Sequence, residues 1–107
     1  MIYELRIYDV NPGKMQVILD RFRDHVIQLF NKHQMKITLF WEDFDESNNR
    51  LYYIVEHASM EDRNLNYDRF RNDPEWIEVK RLSELDGPLV KKQESIFMKD
   101  VPFFENK

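Results

Sequence analysis

The chain has 107 residues, 42% of them hydrophobic and 14% aromatic, with two glycines and no cysteine. That apolar content can build the core of one compact domain over 1–107 and excludes the disordered class. Absent cysteines exclude disulfides, thiolate nucleophiles, iron–sulfur clusters and thiolate zinc sites. Sixteen basic against twenty acidic residues leave a formal charge of −4, which argues against a broad nucleic-acid footprint.

Ile2 to Tyr8 alternates with period two, Tyr3, Leu5 and Ile7 on one side and Glu4, Arg6 and Tyr8 on the other, as a half-buried strand does. Asn11-Pro12-Gly13 supplies a capping residue and a proline near a helix start. Met15, Ile18, Leu19, Phe22, Val26, Leu29 and Phe30 then recur at helical steps, predicting a long amphipathic helix that ends near His33, with Lys14, Arg21, Asp24 and Lys32 facing water. Lys36 to Phe44 and Leu51 to His57 are rich in β-branched and aromatic residues, and the polar stretch 46–50 between them makes a hairpin. Ser59 caps a helix to about Asn72. Asp73-Pro74 starts another that carries Trp76, Ile77, Val79 and Leu82 to about Leu85. Asp86-Gly87-Pro88 stops it, and Leu89 to Met98 returns to strand. In the tail, Phe103 and Phe104 are expected to find apolar cover.

The order is βαββαβ, a ferredoxin-like α+β fold with a four-stranded antiparallel sheet and helices on one face. If the helices cover Tyr3, Leu5 and Ile7, the other face presents Ile2, Glu4, Arg6 and Tyr8 together with rings from the hairpin. A ring-rich open face predicts a homodimer joined sheet to sheet, with Glu4, Arg6 and Glu94 between the two sheets or at their margin. The longest apolar run, Leu51-Tyr52-Tyr53-Ile54-Val55, is far short of the roughly 18 residues of a membrane span. No membrane partner is expected, and with no leader pattern after Met1 the expected location is cytoplasmic.

In order and spacing, Ile2-Tyr3-Glu4-Leu5-Arg6-Ile7-Tyr8 with Pro12-Gly13-Lys14, the strand Lys36 to Trp41, Ser59-Met60-Glu61-Asp62-Arg63, Asp73-Pro74-Glu75-Trp76, Gln93-Glu94-Ser95 and Pro102-Phe103 resemble the NIPSNAP family over nearly the whole chain. The resemblance implies a dimeric α+β barrel, an architecture shared with antibiotic-biosynthesis and haem-degrading monooxygenases and muconolactone isomerases, which often bind small hydrophobic molecules between sheet and helices. It assigns no reaction to small single-domain members. Two positions depart from the family pattern: Leu39 stands where a glycine is expected before Phe40-Trp41, and Val55 stands where tryptophan is common.

The candidates for chemistry are few. His25 and His33 fit no metal-binding spacing, so no metal is expected, and haem ligation through either finds no support in that spacing. With both glycines beside prolines, a phosphate loop is excluded and no cofactor is expected. RNA binding through the same strand order is disfavoured by the acidic charge and the missing strand motifs. Arg6, Glu94 and His57 are the residues a monooxygenase or isomerase reaction would use. Tyr3, Phe22, Trp41, Tyr53 and Trp76 are those that could line a pocket for a small hydrophobic or aromatic ligand. A non-catalytic interaction module is the alternative, its rings simply core and its charges an ion-pair network.

Overall fold

Alternating and helical patterns settle into the expected elements in the computed structural model, which describes residues 1–106; Lys107 of the expected 1–107 domain lies outside the described residues. The strands are β1 (Ile2–Val10), β2 (Lys36–Glu42), β3 (Arg50–His57) and β4 (Val90–Met98). The first helix, α1, runs through three contiguous segments, Met15–Arg21, Phe22–Val26 and Ile27–Lys32; α2 is Met60–Arg71 and α3 is Pro74–Ser83. The strands form one antiparallel sheet in the order β2-β3-β1-β4, with all three helices on one side.

Local chemistry explains the helix boundaries. Ser59 Oγ accepts from the Asp62 amide at 3.1 Å and starts α2. Asp73 accepts from the Glu75 amide at 2.9 Å, with Pro74 in the first turn of α3 where its missing N–H costs nothing. Before α1 the expectation needs correcting. Asn11-Pro12-Gly13 forms a turn, closed by Lys14 N–H to Asn11 O at 3.1 Å, and Gly13 at φ +75° lies outside helical space, so the helix starts only at Met15. The middle of α1 widens into a π-turn in which the Ile27 N–H reaches back five residues to Phe22 O.

A second correction concerns the sheet. The helices cover Glu4, Arg6, Tyr8 and Val10, while Tyr3, Leu5 and Ile7 point to the open side. Rows across the strands decide this. Glu4 pairs with Val55, Arg6 with Tyr53 and Tyr8 with Leu51, and Phe40 of β2 stands opposite Tyr53. These partners are fully buried against Ile18, Phe22, Val26, Leu29 and Phe30 of α1, apart from the half-buried Phe40. Burying that row outweighs two charged residues that can neutralise one another. The tail differs too: Phe103 and Phe104 are exposed.

The open face holds Leu5 and Ile7 of β1 beside Ile54 and Tyr52 of β3 and Ile96 and Glu94 of β4, with Leu39 and Trp41 of β2 beyond them. Leu39, Trp41, Ile96 and Met98 are each between 37% and 49% exposed. No helix among the described residues is long and apolar enough to cross a membrane.

Candidate functional site

Beneath the helices, β1 places three polar side chains at every second position, and the rest of the site is built around them. Glu4 is completely buried and accepts five hydrogen bonds from four side chains. Arg63, from the second turn of α2, binds it with both ends of its fork, Nε to Oε1 at 3.1 Å and Nη2 to Oε2 at 2.9 Å. His57 Nε2 lies 3.0 Å from Oε1, and Ser95 of β4 donates to Oε2 at 2.7 Å. Arg6 adds Nη1 to Oε2 at 2.9 Å. Burial alone would raise the carboxyl pKa, but the bonds from His57, Arg63 and Ser95 and the Arg6 charge overcome it and hold Glu4 well below the usual carboxylate range. A carboxylate in that state only accepts, so Nε2 of His57 carries the donated proton, and its buried Nδ1 has no partner.

Arg6 continues the network. Its Nε donates to Tyr53 Oη at 2.7 Å and its Nη2 to Tyr8 Oη at 3.1 Å, while the two tyrosine hydroxyls lie 2.7 Å apart. Burial pushes the Tyr53 hydroxyl well above its usual pKa. The guanidinium carbons of Arg6, Arg63 and Arg71 stand 4.6, 4.5 and 5.8 Å from the Tyr67 ring centroid, so that ring is held among three cations. Its hydroxyl, also buried, has no hydrogen-bond partner, and burial drives its pKa upward, keeping it a proton donor.

Above this layer lies a cavity of about 370 Å³ between α1, α2, α3 and the sheet. Phe22, Val26 and Phe30 of α1 form one apolar wall, and Phe70 stacked at 4.7 Å on Trp76 forms another. Arg21 is a correction to the water-facing side expected of α1. Next to the π-turn it is buried, with Nη1 2.9 Å from Glu84 Oε2 and 3.2 Å from Ser83 Oγ, its carbon 5.0 Å from the Trp76 ring and its Nε unpartnered.

The structure therefore gathers Arg6, His57, Phe22, Tyr53 and Trp76 around one region: Arg6, Phe22 and Trp76 line the cavity, and Tyr53 and His57 lie in the layer beneath it. It does not bring in Glu94, which sits opposite Ile7 on the open face, away from Glu4 and Arg6, because an odd-numbered offset along β4 turns the side chain over. Nor does it bring in Tyr3, which donates to Asp100 at 3.0 Å, or Trp41, both on the open side. Arg6 and Glu4 are likewise not at a sheet-to-sheet contact. Four further residues of the site, Arg63, Ser95, Tyr67 and Arg21, were not among the expected ones. Among the described residues no group of three or more His, Asp or Glu side chains could hold a metal ion.

The family model described as NIPSNAP matches residues 3–105. The chain belongs to the NIPSNAP family. Among solved structures, a NIPSNAP domain protein from Burkholderia xenovorans superposes with a TM-score of 0.82 at 19% identity, covering 99% of this chain and 100% of that one. A NIPSNAP family protein of unknown function from Agrobacterium tumefaciens gives 0.82 at 24% identity, covering 97% of this chain and 91% of that one. An antibiotic biosynthesis monooxygenase gives 0.62 at 11% identity over 95% of this chain and 100% of that one. These identities establish a shared fold. No curated protein matches the chain. The NIPSNAP model takes in every residue of the Glu4 network, from β1 to Ser95 of β4.

Proposed function

We propose that this NIPSNAP-family protein is a cytoplasmic homodimer, joined through the open sheet faces, that binds a small hydrophobic or aromatic molecule in the cavity between helices and sheet of each subunit. The cavity carries the proposal. It is of the size that accommodates small ligands (about 300–1,000 Å³), and it sets apolar rings on two sides against charged and hydroxyl side chains on the others. The Glu4 network supports the same reading, because a floor locked by so many charge-assisted bonds keeps its shape without a ligand. For the dimer, the support is the continuous open face of Leu5, Ile7, Ile54, Trp41 and Ile96, an apolar patch of the sort that marks an interface in a two-fold assembly.

Native mass spectrometry of the protein as purified tests both halves. The expected spectrum is a dimer, with added mass that disappears when the protein is denatured. A monomer at micromolar concentration overturns the sheet-to-sheet assembly. A dimer that carries nothing and takes up no naphthalene-sized probe in solution overturns the ligand reading.

A further inference from the structure

We propose that the ligand of this cavity is an organic anion, a carboxylate carried on an apolar or aromatic body. The proposal rests on the binding reading above and narrows it by chemistry. Five cationic side chains line the cavity, Arg6, Arg21, Arg63, Arg71 and Lys80, against a single acid, Glu84. The pairs already made account for only part of that charge. Arg6 and Arg63 share the one carboxylate of Glu4, and Arg21 is matched by Glu84. Arg71 and Lys80 have no acidic partner among the described residues.

The hydrogen-bonding capacity left open points the same way. Two side chains of the cavity wall that are more than nine-tenths buried keep a polar atom without a partner, Tyr67 at its hydroxyl and Arg21 at Nε. An arginine Nε can only donate, and the Tyr67 hydroxyl stays protonated because burial disfavours its anion. A buried donor without an acceptor is costly. Water could satisfy a hydroxyl, but it cannot offset an excess of cations, whereas an anionic oxygen does both. The remaining wall, Phe22, Val26, Phe30, Phe70 and Trp76, has nothing to offer a bare inorganic ion and fits an apolar body behind the charged group.

The experiment is a calorimetric or NMR titration of the intact protein at low salt with three probes of one shape: 2-naphthoate, its neutral counterpart 2-naphthamide, and 2-naphthyl phosphate. The expected result is that naphthoate binds at least roughly tenfold more tightly than the amide, as hydrogen bonds to a charged group require. Tyr67→Phe should lower the naphthoate affinity by roughly tenfold and the amide affinity by clearly less, since a bond to a neutral acceptor is the weaker one. That variant removes a hydroxyl bonded to nothing in the protein, so its fold is kept; Arg71→Gln, at an exposed position, gives a second reading of the same effect. Equal affinities for naphthoate and naphthamide overturn the anion assignment and leave the hydrophobic cavity standing. Tighter binding of the phosphate overturns the carboxylate in favour of a phosphoryl head group. Binding of none of the three overturns the cavity reading and this inference together.

Discussion

Replacing Glu4 by Gln removes one negative charge and almost no volume, which makes it the sharpest test of what holds the floor of the cavity. In the native protein a single carboxylate, with no solvent exposure, compensates the guanidinium groups of Arg6 and Arg63. A carboxamide keeps one acceptor oxygen for five converging donors and turns its own N–H groups toward others. Arg6, whose side chain is only 7% exposed, cannot escape to water. Breaking a buried pair in this way costs about 3–5 kcal/mol, against about 0–1 for an exposed one. For a chain of this length that lowers Tm by about 12–20 °C. Urea unfolding followed by circular dichroism gives the free energy directly. The pH dependence adds an independent signature. Glu4 has a folded pKa below its unfolded value of about 4.3, so its contribution is complete above that pH and is lost as the pH falls through it toward the folded value. The variant should therefore lose much of the acid limb of the stability profile. A loss under about 1 kcal/mol at pH 7, with the acid limb unchanged, would refute the view that this carboxylate offsets the buried Arg6 and the half-buried Arg63.

Three other outcomes follow from the same geometry. Leu5→Lys, in the central strand on the open face between Ile54 and Ile96, should convert dimer to monomer in sedimentation velocity while circular dichroism stays native, since two copies of the new charge would meet across a two-fold axis. Arg6→Ala should leave the assembly alone and lower the unfolding midpoint instead, because Arg6 lies under the helices. Asp73→Ala removes the α3 cap together with the partner of Lys32 and His33, at 2.8 and 2.7 Å; about 1–2 kcal/mol of stability should be lost, read from the shift in urea midpoint at constant slope.

Periodicity made the elements legible, and it failed where burial depends on neighbours in space. Strand β1 read alone puts Tyr3, Leu5 and Ile7 in the core, because they are its more apolar half. The choice is made instead by β3, whose Leu51, Tyr53 and Val55 stand opposite Tyr8, Arg6 and Glu4, a register that no single strand reveals. The same cause misplaced Glu94: its neighbour Ser95 shares a side with Arg6, so the shorter, less conspicuous residue of that pair belongs to the site. Arg63 was within reach of the pattern. It begins the stripe Arg63, Asn66, Tyr67, Phe70 at steps of three, four and seven, the spacing of one helix face, and all but Arg63 are buried. Arg21 was not within reach, since a π-turn beside it shifts the helix phase by about one residue and leaves no mark in composition.

The state of Glu4 also bears on whether the site turns over a substrate. A general base works best with a pKa near the operating pH and a lone pair free to take the proton. Glu4 has neither, because both oxygens are occupied and its pKa is pressed downward. His57 is tied to it through Nε2, is buried, and does not line the cavity. Two residues of the cavity wall keep a buried donor without a partner, the Tyr67 hydroxyl and Arg21 Nε, each held in place by the cations and rings around it. Donors of that kind bind and orient a bound anion, and they stabilise charge that develops on its oxygens. Any reaction here would then draw its base from the substrate or from Glu84, the one carboxylate of the cavity wall, whose Oε2 is held by Arg21 at 2.9 Å.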